Sequence, residues 1–226
     1  MPQNIFSMAY KSRVFSISLL KFSYMSASVS IPKKIHKEII PKQYSLLEYL
    51  AREERAKEKH EFYNGIIIKM PNSKFTHNLI AMNMAYALKY ILKSKKQSYF
   101  VLGDGQKVYI ESENIAVYPD ALVVFEKPQF FGGREDMLLN PIMVIEILSR
   151  KTSVYDRTTK FDLYRLIPSF KEYVLINPQK IDIETRYRED NDLWRITSYS
   201  TQNEDIDLKS LNIELKIADI YENVVF

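Results

Sequence analysis

The sequence predicts an α/β (α+β) fold with a mixed central β-sheet flanked by helices. Three observations carry that prediction. Two near-continuous apolar runs, 117–125 and 142–148, read as strands buried on both faces. Asn64-Gly65 sits between apolar β-formers, a strong hairpin signal. Residues 78–92 carry apolar side chains at helical spacing (Leu79, Ile80, Met82, Met84, Ala87, Leu88, Ile91), which predicts a helix with a buried face.

The elements follow in order. Residues 1–40 show neither a helical nor a strand period and are expected to be a disordered extension, or to precede a true start at Met25. The semi-apolar run Val14–Leu20 behind Lys11 and Arg13 has a weak signal-peptide shape, interrupted by Lys21. The folded domain is expected over 41–226. Ser45 with Glu48 three residues later is a capping box, and the charged run 52–59 is expected to continue that helix. Strands are expected at 99–102 and 106–111, around Gly103-Asp104-Gly105. The segment 126–141, with Pro128, Gly132, Gly133 and Pro141, is expected to be a rim loop. Ser153 is expected to cap a helix running to about Leu166. A strand at 173–176, an outer hairpin from 180–188 and 193–199, and a closing segment near 215–221 complete the chain. There are no internal repeats.

Composition narrows the chemistry. The chain of 226 residues has no cysteine, which excludes disulfides and thiolate metal sites. Its three histidines (His36, His60, His77) make a histidine-built zinc site a poor expectation; any metal sits on oxygen, which favours Mg²⁺ or Mn²⁺. The net charge of +4 is misplaced as a clue. Six Lys or Arg and one Glu fall in residues 1–40, so the remainder is close to neutral and bulk charge argues for no partner. No apolar run is long enough to span a membrane, and a cytoplasmic protein is expected.

Each apolar run nevertheless holds one carboxylate, Asp120 in the first and Glu146 in the second. A buried, unpartnered carboxylate costs several kcal/mol or is forced to protonate. If the strands are neighbours, a divalent cation between the two resolves both burials at once. The bland alternative makes Asp120 a turn residue and gives Glu146 a structural Lys or Arg. Lys160 lies four residues after Asp156, so both share a helix face, with Tyr164 one turn on. Lys160 then either pairs with Asp156 on the surface or leans over the cleft. There it would orient or deprotonate water and offset phosphate charge. Glu61 is either an exposed hairpin residue or a further acid at the site. His77 is either a structural helix-end histidine or an accessory to the cleft.

These residues resemble a family. Pro119-Asp120 followed by Glu146-Ile147-Leu148 is similar to the PD-(D/E)XK nuclease signature. Over about 41–222 the chain resembles the Uma-two group of restriction-type endonucleases, once known only as a domain of unknown function. The landmarks, in order, are Glu61-Phe62-Tyr63-Asn64-Gly65, Pro71 before His77, and Tyr118-Pro119-Asp120. Asn140-Pro141, Glu146-Ile147-Leu148-Ser149, Asp156 through Phe161, Tyr164, and Lys171 through Ile176 follow. The resemblance implies a restriction-endonuclease-like core and a Mg²⁺-dependent (or Mn²⁺-dependent) endonuclease acting on DNA. It implies Asp120 and Glu146 as metal ligands and lends weight to Glu61 as an accessory acid; the Ile147 carbonyl is expected as a further ligand, and His77, Asp156 and Tyr164 as accessory residues. The superfamily lysine two residues after the glutamate is Leu148 here, and Lys160 takes its place. A cut across both strands requires a homodimer or two independent nicks. A nuclease-fold module that holds nucleic acid or a protein partner without cutting is the competing expectation.

Overall fold

The computed structural model describes residues 42–150 and 152–226, so the readings on residues 1–40 lie outside it. The expected α+β architecture is present, with two sheets where one central sheet was expected. The larger sheet has the order β11-β10-β9-β8-β6-β3. Its strands are β3 (Tyr99–Gly103), β6 (Ala121–Phe125), β8 (Pro141–Ile147), β9 (Glu172–Ile176), β10 (Ile183–Arg188) and β11 (Trp194–Tyr199). It is mixed, because β8 and β9 run parallel while the other neighbours are antiparallel. The smaller sheet, in the order β2-β1-β5-β4-β7, holds β1 (His60–Tyr63), β2 (Ile66–Lys69), β4 (Lys107–Ile110), β5 (Ile115–Val117) and β7 (Met137–Leu138). A separate hairpin joins β12 (Asp205–Leu208) to β13 (Ile213–Lys216).

The hairpin at Asn64-Gly65 forms as expected, and both residues have positive φ, at 41° and 100°. Only a residue tolerant of the left-handed region suits the second position, which is why glycine stands there. Helix α1 (Leu46–Glu53) carries the expected capping box. It stops at Glu53 rather than continuing through 52–59. That charged run offers no apolar face to bury, and the Glu53 carboxylate accepts hydrogen bonds from the His60 N–H (2.9 Å) and the Tyr118 hydroxyl (3.0 Å), which requires the chain to turn back.

The run 117–125 is not one strand. It divides at Tyr118-Pro119-Asp120, leaving β5 in the small sheet and β6 in the large one. Proline has no N–H to give a ladder, so the break falls where the chain changes sheets. The strands around Gly103-Asp104-Gly105 are likewise in different sheets. The 126–141 segment is a loop only in part, since it contributes β7 to the small sheet, with Met137 and Leu138 fully buried.

Helix α2 (Phe75–Leu92) covers one face of the large sheet, packing Ile80, Met84 and Leu88 on Ile145, Ile147 and Val174. The other face packs Leu122, Val144, Leu148 and Leu175 against Val108, Ile110 and Val117 of the small sheet. Helix α1 closes the far side of the small sheet, packing Tyr49 and Leu50 against Phe62 of β1. Side chains alternate along β8, so Glu146 shares its direction with Val144 and Leu148 and enters the space between the sheets.

Candidate active site

A helical stretch rises from the end of β8 into that space. It consists of α3 (Ser153–Tyr155), a π-helical turn (Asp156–Lys160) and α4 (Phe161–Tyr164), with right-handed helical backbone at each junction. Thr152, not Ser153, is the residue before the first turn, and its N–H is held by the Ser149 hydroxyl at 3.1 Å. The helix ends at Tyr164, short of Leu166. The widened turn points both Asp156 and Lys160 inward, each 5% exposed. Tyr164 follows on the same side and is fully buried.

Lys160 Nζ lies 2.7 Å from Glu146 Oε1 and 3.6 Å from Glu61 Oε1. Its ion partners are these two residues, so the surface pair with Asp156 is not formed among the described residues. The Tyr164 hydroxyl donates to the same Glu146 oxygen at 3.1 Å. Asp120 precedes β6 by one residue. The antiparallel register that sets Ala121 opposite Ile145 carries on to bring Asp120 level with Glu146. Asp120 Oδ2 accepts the Ile147 N–H at 2.7 Å, and Oδ1 meets His77 Nε2 at 2.8 Å. His77 reaches it from the first turns of α2.

The structure therefore brings Asp120, Glu146, Lys160, Glu61, His77, Asp156 and Tyr164 into one largely buried cluster between the sheets. It also shows partners that sequence reasoning missed. The Tyr155 hydroxyl donates to the Tyr63 hydroxyl at 2.6 Å, which donates to Glu61 Oε2 at 2.6 Å. The Tyr118 N–H donates to Glu61 Oε1 (3.2 Å) and the Tyr118 carbonyl accepts from Lys160 (3.4 Å). Tyr63 lies two residues from Glu61 on one strand face, a signal the alternation rule could have raised. Nothing local marks Tyr155.

Electrostatics follow from four carboxylates around one ammonium. Burial pushes the Glu146 carboxyl well above the usual range; Lys160 opposes this, and the charges of Asp120 and Asp156 add to it. Burial also raises Asp156, against the pull of Lys160. Burial works against charge on Lys160, but Glu146 and Glu61 outweigh it and hold its pKa well above the ordinary lysine value. Lys160 is thus an ammonium, suited to offsetting charge and orienting water rather than to removing a proton.

Two carboxylates and a main-chain carbonyl are hard oxygen donors, the set that Mg²⁺ or Mn²⁺ prefers while keeping several waters. Among the described residues, no group of three or more His, Asp or Glu side chains is placed to hold a metal ion by itself. Water and phosphate oxygens would have to complete the coordination. No helix among them is long and apolar enough to cross a membrane.

The architecture matches a solved one. A crystal structure described as "a putative nuclease belonging to DUF820", from Anabaena variabilis, superposes with a TM-score of 0.62 at 17% identity, covering 80% of this chain and 99% of that one. At that identity the likeness establishes the fold alone, a mixed α+β arrangement of sheets flanked by helices. Residues 46–218 match the model of the Uma2 family, described as "Putative restriction endonuclease". The chain belongs to the Uma2 family. Two uncharacterized proteins of Synechocystis sp. are similar to it. One is 30% identical over 166 residues, covering 74% of this chain and 93% of the relative. The other is 27% identical over 180 residues, covering 79% and 92%.

Proposed function

We propose that this protein is a divalent-metal-dependent endonuclease that hydrolyses DNA phosphodiester bonds. The observation that carries the reading is that Asp120, one residue before β6, stands level with Glu146 of the neighbouring β8, with Lys160 2.7 Å from Glu146. Asp120, Glu146 and the Ile147 carbonyl would hold Mg²⁺ or Mn²⁺. When bound, such an ion supplies Lewis-acid charge to the scissile phosphate and the attacking water. Lys160 brings a fixed positive charge beside the phosphate and orients the water. Tyr164 holds the Glu146 carboxylate by its hydroxyl, and His77 and the Ile147 N–H fix the two oxygens of Asp120. Glu61, held by Tyr63 and the Tyr118 N–H, braces Lys160 from the opposite sheet.

A second reading draws on a different observation. Glu146 is already neutralised by Lys160, and the cleft offers only two well-aligned carboxylates, which also suits a module that holds nucleic acid without cutting it.

The test is cleavage of plasmid and single-stranded DNA by the full chain with Mg²⁺ or Mn²⁺, beside Asp120→Asn, with ion binding followed by titration calorimetry. Cleavage and ion binding that both vanish in the variant support the endonuclease. Full activity in Asp120→Asn overturns it. DNA retention with no product under either ion selects the binding module.

A further inference from the structure

Helix α2 buries one side on the large sheet and presents a second apolar face to solvent. Phe75, Leu79, Met82, Tyr86 and Tyr90 recur at spacings of three and four, which is one helix stripe. Phe75 is 80% exposed, Met82 68%, Tyr86 68% and Tyr90 71%. Tyr86 and Tyr90 stack on one another with ring centroids 6.3 Å apart. We propose that this stripe is a homodimer interface, covered by α2 of a second copy running antiparallel across Met82.

Three features select a second copy. The first is area. At roughly 200 Å² for a large side chain, covering these four removes about 550 Å² from each copy. The total of about 1,100 Å² clears the ~1,000 Å² that separates specific interfaces from chance contacts. The second is symmetry: Met82 lies midway between Phe75 and Tyr90, so a two-fold axis beside it sets the Phe75 end of one copy against the Tyr90 end of the other. The third is the distribution of charge. The helix holds no acidic residue, and its one lysine, Lys89, lies in the last turn, with Lys74 and Lys93 flanking the two ends, leaving the centre apolar. An apolar centre with a charged rim is how protein interfaces are built. A nucleic-acid track needs cations along its whole length. The stripe starts two residues before His77, so pairing two copies here fixes the separation of their clefts, whatever chemistry the clefts perform.

The test is the mass of the full chain by light scattering and sedimentation velocity over about a hundredfold range of concentration. The wild type is expected to be dimeric. Met82→Glu and Tyr86→Glu, each placing like charges near the axis, are expected to raise the dimer Kd at least about 100-fold while helicity is unchanged. Ser112→Glu, an exposed change in another part of the surface, is expected to leave the dimer intact. A wild-type monomer at every concentration overturns the proposal, whether residues 1–40 or a nucleic acid then proves to cover the stripe. So does a dimer that survives both α2 variants.

Discussion

Lys160 and Glu146 form a buried ion pair at 2.7 Å, each side chain 6% exposed, between two β-sheets. Removing the lysine alone takes away the one charge that opposes the upward push of burial on Glu146, which must then take up a proton or stay charged among other carboxylates. Lys160→Met is expected to cost about 3–5 kcal/mol of folding stability near neutral pH. On the proposed function, Mn²⁺ recovers part of the loss by taking over the neutralisation. Urea unfolding with and without the ion measures both effects.

Asp120→Asn is expected to behave oppositely. The amide oxygen can still accept the Ile147 N–H, and one of two neighbouring negative charges is gone. The variant should be at least as stable as the wild type and, on the proposed function, should lose DNA cleavage at least about 100-fold. Thermal unfolding and a plasmid-nicking assay check the two halves separately.

The hydroxyl chain Tyr155–Tyr63–Glu61 yields a graded prediction. Tyr63→Phe deprives a buried carboxylate of its donor and Tyr155 of its acceptor, and is expected to cost about 2 kcal/mol. Tyr155→Phe removes only the outer link and should cost about 1 kcal/mol. The double variant should cost less than the two together, because both act on one network. Equilibrium unfolding of the three variants decides this.

Glu172 predicts a pH dependence distant from the cleft. It is fully buried on β9, where the Ser210 N–H and hydroxyl and the Lys209 N–H donate to it. Burial outweighs those bonds and raises its pKa from 4.5 to about 7. The folded state therefore holds this proton more tightly than the unfolded chain. The associated stability is fully present below about 4.5 and is lost as pH rises through about 7. Its size is on the order of 3 kcal/mol. The stability of wild type minus that of Glu172→Gln should fall across that window and be level above it. A flat difference would contradict the assignment.

Much of the cleft was legible because burial makes charge conspicuous. Asp120 and Glu146 stand out as carboxylates in apolar runs, and the four-residue spacing of Asp156 and Lys160 survives even in a π-helical turn, where both still face inward. The Asn64-Gly65 turn was readable from its local geometry. What escaped notice depends on long-range pairing. Apart from Asp120 the run 117–125 is apolar on both sides of Pro119, where the chain changes sheet, since both sheets bury their strands equally well. β7 lay hidden inside a Gly- and Pro-rich loop because two residues carry no periodicity. Tyr155 meets Tyr63 across 92 positions of chain, a contact that no local pattern encodes.

The three residues Tyr118-Pro119-Asp120 carry the chain from one sheet to the other, and they also hold the cleft. The Tyr118 N–H and carbonyl bind Glu61 and Lys160, and Asp120 grips the backbone at Ile147. The cleft is therefore a mechanical joint as well as a chemical one. The sheets cannot part without dismantling it, and it cannot be rebuilt for another chemistry without loosening the sheets. Hydrogen exchange at the Ile147 and Tyr118 amides should accordingly keep pace with unfolding of the whole domain, so that the atoms of the candidate site are among its last to open.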